Sequence, residues 1–154
     1  MRLILPDDGN LFKRYEEELK YFRVEGVRGG SETTVGDMSF YFFEAAHPVY
    51  CLGFAIRAGQ KKFVYSADTD VCDNLLHNIQ GADLALLDGA FLPAQYRAGG
   101  AHMSVDICRD MAEKFGVKTL VSHLLPANSE EDYNRELHGA KNCRVVSEGD
   151  DFEF

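Results

Sequence analysis

Three apolar runs beyond residue 60 each end on a polar side chain, and helical segments separate them. Residues 62–69, Lys-Phe-Val-Tyr-Ser-Ala-Asp-Thr, form an apolar and aromatic run that delivers Asp68, and residues 72–79 then read as a helix. Residues 82–88 form a second run, stopped by Asp88. A helical stretch over 104–115 is closed by Gly116, and residues 117–121 lead into Ser122 and His123. Alternation of this kind predicts a layered α/β sheet. Its polar groups collect at the carboxyl ends of the strands, the edge where open α/β sheets bind ligands.

The first half reads differently. Asp8 or Asn10 can cap a helix over residues 11–22, a short strand-like stretch follows at 22–27, and Gly29-Gly30 marks a turn. Residues 38–45 and 51–57 are aromatic and apolar runs joined through His47-Pro48-Val49, which predicts a hairpin, and Gly59 opens a turn into a strand at 61–67. A last helix is expected near 129–137 and a final strand at 143–147. The chain has no linker, low-complexity tract or repeat of solenoid length, so residues 1–154 are expected to form a single domain.

At 154 residues and 45% hydrophobic content, the chain can bury roughly two-thirds of its unfolded surface. Cys51, Cys72, Cys108 and Cys143 include no Cys-x-x-Cys pair, which points to reduced thiols and a cytoplasmic location. No apolar run approaches the ~20 residues of a membrane span, and the opening residues are too short for a signal peptide, so no membrane partner is expected. A formal charge of -9 opposes long-range attraction to nucleic acid. The basic residues Lys13, Arg14, Lys20, Arg23 and Arg28 alternate with Glu16, Glu17, Glu18 and Glu25, the pattern of a solvated helix face.

Five pieces in order carry a family resemblance: residues 47–54 from His47-Pro48, Tyr65-Ser66-Ala67-Asp68-Thr69, Leu86-Leu87-Asp88-Gly89-Ala90-Phe91, His102-Met103-Ser104 and Val121-Ser122-His123. Together they resemble the carboxyl-terminal half of a metallo-β-lactamase-superfamily hydrolase, in the branch of ribonuclease Z and cyclic phosphodiesterases. The resemblance implies half of a four-layer αββα fold, a mixed sheet with helices on one face. It also implies two divalent metal ions, zinc foremost with manganese or iron as alternatives, and a small phosphorylated substrate. The residue matching Asp68 bridges the metals, and those matching His47 and His123 each complete one metal's shell. By the same resemblance a shared hydroxide would attack phosphorus, the residue matching His102 would protonate the leaving oxygen or bind the phosphoryl group, and Asp88 would orient that imidazole.

The family's remaining ligands come from a His-x-His-x-Asp-His motif, and these 154 residues contain none. The expectation is therefore a partial domain lacking the first metal-binding half, with limited metal occupancy and no activity until those ligands are restored. The apolar residues Phe40, Phe42, Phe43, Phe54, Ile56, Phe63 and Tyr65 cannot all point into one helical layer, given the period-two alternation of strands. One sheet face is expected to be bare and to pair with a second copy of the chain or with a complementary amino-terminal half. A non-catalytic half-domain that dimerises through that face is the alternative to a hydrolase.

Several residues also have plain local readings. Taken alone, His47 before Pro48 is a turn histidine, Asp68-Thr69 a helix cap, His123 a strand-end histidine, and Ser104 an N-cap with Asp106 in the first turn. His77 and His138 read as structural, and Ile107, Cys108, Met111, Ala112 and Phe115 form a core-facing stripe. Gly99-Gly100-Ala101, with Tyr96 and Arg97, suggests a mobile loop able to cover a substrate.

Overall fold

The structure is a computed structural model that describes residues 2–10, 13 and 15–152. Nine strands are present among them: β1 (Arg2–Pro6), β2 (Arg23–Val27), β3 (Glu32–Val35), β4 (Met38–Glu44), β5 (Leu52–Ala58), β6 (Lys61–Tyr65), β7 (Leu84–Asp88), β8 (Lys118–Ser122) and β9 (Cys143–Val145). The helices are α1 (Glu16–Leu19), α2 (Asp73–Ile79), α3 (Val105–Phe115) and α4 (Glu130–Glu136), with a 3-10 turn at Pro93–Gln95. Strands β3 to β9 form one seven-stranded sheet in sequence order, antiparallel from β3 to β6 and parallel from β6 to β9. β1 and β2 form a separate parallel pair.

The change from antiparallel to parallel follows from the connections. Tight turns link β3 to β4 and β5 to β6, with Gly36 and Gly59 in the left-handed region where a side chain is disfavoured. The segments between β6, β7, β8 and β9 are long enough to hold α2, α3 and α4, and a crossover returns the chain in the same direction. The helices lie on one face. Leu75 and Ile79 of α2, Val105, Cys108, Met111 and Ala112 of α3, and Tyr133 of α4 share a core with Phe43, Val64, Ala85, Leu87 and Val121 of the strands. The helical stripe expected on α3 is this contact, and Gly116 ends that helix in the left-handed conformation.

The opposite face carries the alternate residues. Register places Phe40 beside Ile56, Phe42 beside Phe54, Ile56 beside Phe63, Phe54 beside Tyr65 and Tyr65 beside Leu86. The β1–β2 pair covers one end, where Val27, Phe42 and Leu52 are buried with Ile4 against them. Beyond it Phe54, Ile56, Phe63, Tyr65 and Leu86 are half-buried, and a shallow cavity of about 310 Å³ opens among Met38, Ile56, Ala58, Lys61 and Phe63. Of the seven apolar residues in question, Phe43 alone turns to the helices.

Three local expectations change. Within the helix expected over 11–22, Lys13 is helical and a separate α1 spans Glu16–Leu19 behind Tyr15; residues 11, 12 and 14, and with them the start that Asp8 or Asn10 was expected to cap, lie outside the described set. Asp7 and Asp8 accept the amides of Gly9 and Asn10 in local turns. Asp68-Thr69 is no helix cap, because α2 starts at Asp73 behind Cys72. Ser104 does occupy the N-cap position of α3, but its hydroxyl donates to the Asp106 carboxylate. Among the described residues, no helix is long and apolar enough to cross a membrane.

All four cysteines are free thiols. Burial pushes the thiols of Cys108 and Cys143 up, Cys143 to about 12, which leaves almost no reactive thiolate at neutral pH. Iodoacetamide at pH 7.5 is expected to spare both in the folded chain and to reach them once guanidinium unfolds it. Peptide mapping would refute this by finding Cys108 alkylated under native conditions.

Candidate metal centre

The carboxyl ends of β6, β7 and β8 lead into three loops that bond to one another. The Ser66 amide donates to the Leu86 carbonyl, the Gly89 amide to Ser122 and the Leu125 amide to Ala90. Because β5 runs antiparallel to β6, the loop preceding β5 reaches the same edge, and the Asp70 amide bonds to the Ala46 carbonyl there at 3.0 Å. A fourth segment arrives from the chain before α3: Phe91 and Ser104 form a β-bridge, and buried Met103 fixes its depth. His47, Asp68, Asp88, His102 and His123 are thereby gathered at this one edge.

Asp88 is the buried centre of the group, with 1% of its side chain exposed. Its Oδ2 accepts the Thr69 amide at 2.9 Å and His102 Nδ1 at 2.7 Å, and its Oδ1 accepts the Ala90 amide at 3.1 Å. Burial pushes the Asp88 carboxyl up, against the downward pull of His102 and the two amides. The contact with Asp88 places a proton on His102 Nδ1 and leaves the other ring nitrogen free. Outside this pair, His123 Nδ1 lies 2.9 Å from Asp68 Oδ1, with both side chains more than two-fifths exposed. The three imidazoles are contiguous: ring centres are 4.9 Å apart for His102 and His123, and 5.3 Å for His47 and His102. His47 Nδ1 lies 3.1 Å from the Val49 carbonyl and 3.2 Å from the Val49 amide, so this nitrogen is engaged by its own turn and the other ring nitrogen is the one left to ligate.

Two backbone positions here are strained. Ala67 at φ 56° and His123 at φ 61° are the only non-glycine residues with positive φ among those described, and Ala67 immediately precedes Asp68. Each conformation costs on the order of 1–3 kcal/mol and persists only where its surroundings impose it. Ser66 Oγ accepts the Asp88 amide and donates to the Ala67 carbonyl, and Thr69 Oγ1 accepts the Ala46 amide and donates to the Asp70 carbonyl. Tyr133 does the same for the His123 loop, its hydroxyl donating to the Ala90 carbonyl and accepting from the Leu125 amide. Neither Ser66 nor Tyr133 stands out in the sequence, because their partners are distant in the chain.

The donor set suits a borderline-soft divalent cation, with neutral imidazole nitrogens beside carboxylate oxygens. Asp88, His102 and His123 each offer a ligand atom, and these atoms lie within 4.8 Å of one another. This trio spans the roles expected from the sequence, since it joins one expected ligand to the two residues expected to handle protons.

A mixed sheet with helices on one face and an imidazole–carboxylate cluster at its carboxyl edge is the arrangement of one half of the four-layer metallo-β-lactamase fold. The chain belongs to the β-lactamase superfamily: the family model for the beta-lactamase superfamily domain matches residues 2–123. Among curated proteins, Rv1339 of Mycobacterium tuberculosis is 26% identical over 113 residues, 72% of this chain and 41% of that protein. YhfI of Bacillus subtilis, a metallo-beta-lactamase fold protein, superposes with a TM-score of 0.83 at 20% identity, over 99% of this chain and 65% of its own. A diphosphatase of the PhnP family superposes at 0.71 with 18% identity, over 99% and 58%. Zinc-bound PqqB of Methylobacterium extorquens superposes at 0.73 with 16% identity, over 100% and 65%. The chain thus spans less than two-thirds of each of these relatives.

Proposed function

We propose that the chain carries the carboxyl-terminal half of a metal-dependent hydrolase acting on phosphodiester or cyclic phosphate bonds in small molecules. One observation supports this above the others: the solvent-open pair of Asp68 and His123 lies directly beside buried Asp88 and its half-buried partner His102. In this reading Asp68, His123 and His47 hold divalent metal, zinc foremost. Bound metal supplies Lewis-acid activation of water and of the phosphoryl group. Asp88 keeps His102 oriented, and the free nitrogen of His102 holds or delivers the proton that the leaving oxygen needs. The diphosphatase and zinc-bound protein among the structural relatives are in keeping with this chemistry. A human tRNase Z shares the fold at a TM-score of 0.68, but a charge of -9 favours small substrates over RNA.

The half-buried aromatic face supports a second element of the proposal, that a further layer covers it. A complementary amino-terminal half would also bring more ligands, whereas a second copy of this chain would give the non-catalytic, dimerising half-domain.

Elemental analysis after zinc loading, light scattering and hydrolysis of bis(p-nitrophenyl) phosphate separate the two. Zinc bound by the chain, with hydrolysis that EDTA abolishes once an amino-terminal half carrying the missing ligands is supplied, is expected of the hydrolase. A dimeric mass with neither zinc nor hydrolysis would replace it with the half-domain.

A further inference from the structure

Asp70 is a buried residue, 4% exposed, that forms no hydrogen bond with the five residues gathered at the centre, yet it sits on the segment bearing Asp68 and bonds to the segments bearing His47 and His102. Its Oδ1 accepts the Tyr96 hydroxyl at 2.8 Å and the Val71 amide at 2.7 Å, and its Oδ2 accepts the Gly99 amide at 2.7 Å. Its own amide donates to the Ala46 carbonyl, next to His47. Asp68 is two residues before it in the chain, and His102 is three residues beyond Gly99.

These hydrogen bonds meet an obvious weakness in the sequence. The segment from Tyr96 to His102 contains Gly99 and Gly100, is mostly exposed, and has Gly99 in the left-handed region. Such a stretch has little of its own to hold it in place. Yet His102 must keep Nδ1 on Asp88 while its ring stays against those of His47 and His123. A buried carboxylate whose hydrogen bonds here all come from neutral donors is expensive unless each bond is kept, so the tether resists being broken one bond at a time. Tyr96 is a dependable donor, because burial and then the Asp70 carboxylate push its hydroxyl up to about 12.

We propose that Asp70 is a positioning residue, which ties the loop from Tyr96 to Gly99 down onto the segment bearing Asp68 and so holds His102 in register with Asp88. The loop is then a fixed wall of the site and not the mobile cover its glycines suggest.

The test uses the whole chain, metal-free in EDTA, with imidazole and amide resonances followed by nuclear magnetic resonance. Asp70→Asn keeps one acceptor for Tyr96 but presents an NH₂ group to the Gly99 amide. Its Gly99 amide should exchange at least about tenfold faster, and the downfield His102 Nδ1 proton should broaden or vanish. Amides of β5 to β8 should keep their protection. Tyr96→Phe removes a single hydroxyl and should weaken the same His102 signal with Gly99 still protected. A His102 resonance that is unchanged in both variants would overturn the proposal, and if Asp70→Asn fails to fold, Tyr96→Phe alone decides. The importance of the tether rests on the function proposed above, but its measurement does not. A chain that takes up no zinc refutes the hydrolase and leaves the tether standing, whereas an unmoved His102 does the reverse.

Discussion

Asp68→Asn is expected to weaken zinc binding by more than about 100-fold, beyond the range found when only an outer partner of a ligand is removed. The effect follows from the place of the carboxylate. Asp68 follows a strained Ala67, points its Oδ1 at His123 Nδ1 at 2.9 Å, and has two-fifths of its side chain open to solvent. Asparagine keeps the size and one neutral oxygen, but it removes the negative charge that offsets a dication. The loop should survive, because Ser66 and Thr69 hold it without using the Asp68 side chain. Competition against a chromophoric zinc chelator, with His77→Asn as a control remote from the centre, reads the effect. Equal affinities for the parent and Asp68→Asn would remove Asp68 from the ligand set.

How much of this was legible in the sequence depends on the range of the interactions. The strands ending near Asp68, Asp88 and His123 were visible because burial writes itself as local apolar runs, and α3 because its stripe and Gly116 are local too. β3 was missed: Glu-Thr-Thr-Val is short, polar and exposed, and it is a strand only because β4 pairs with it through the Gly36 turn. The pairing of β1 with β2 is missed for a related reason, since parallel partners 21 residues apart leave no joint pattern in the sequence. Asp70 looked like one more acid in Ala-Asp-Thr-Asp. Its partners Tyr96 and Gly99 lie 26 and 29 residues further on, and Gly99 was instead read as a sign of mobility.

Gly89 shows the same limit and carries the largest expected effect on stability. Gly89 is not among the residues with positive φ, so its backbone conformation does not require a glycine. What it supplies is space. A Cβ there would stand 2.2 Å from Cγ1 of Val121 and 3.4 Å from Sγ of Cys108. Both neighbours are fully buried, Val121 on β8 between β7 and β9 and Cys108 on α3, so neither has solvent to retreat into. Overpacking a close-packed core costs about 1–3 kcal/mol, and a rigid β-branched neighbour places Gly89→Ala near 3 kcal/mol. The strain also has a direction. β7 and β8 pair through Leu87 with Val121 and Asp88 with Ser122, so pushing the strands apart moves Asp88 away from His123. Chemical denaturation should therefore show a lower midpoint with an unchanged slope, accompanied by weaker zinc binding. The companion Val121→Ala should restore part of both losses in Gly89→Ala, because it removes the atom in the way. If the double variant is no more stable than Gly89→Ala, the clash is not the cause.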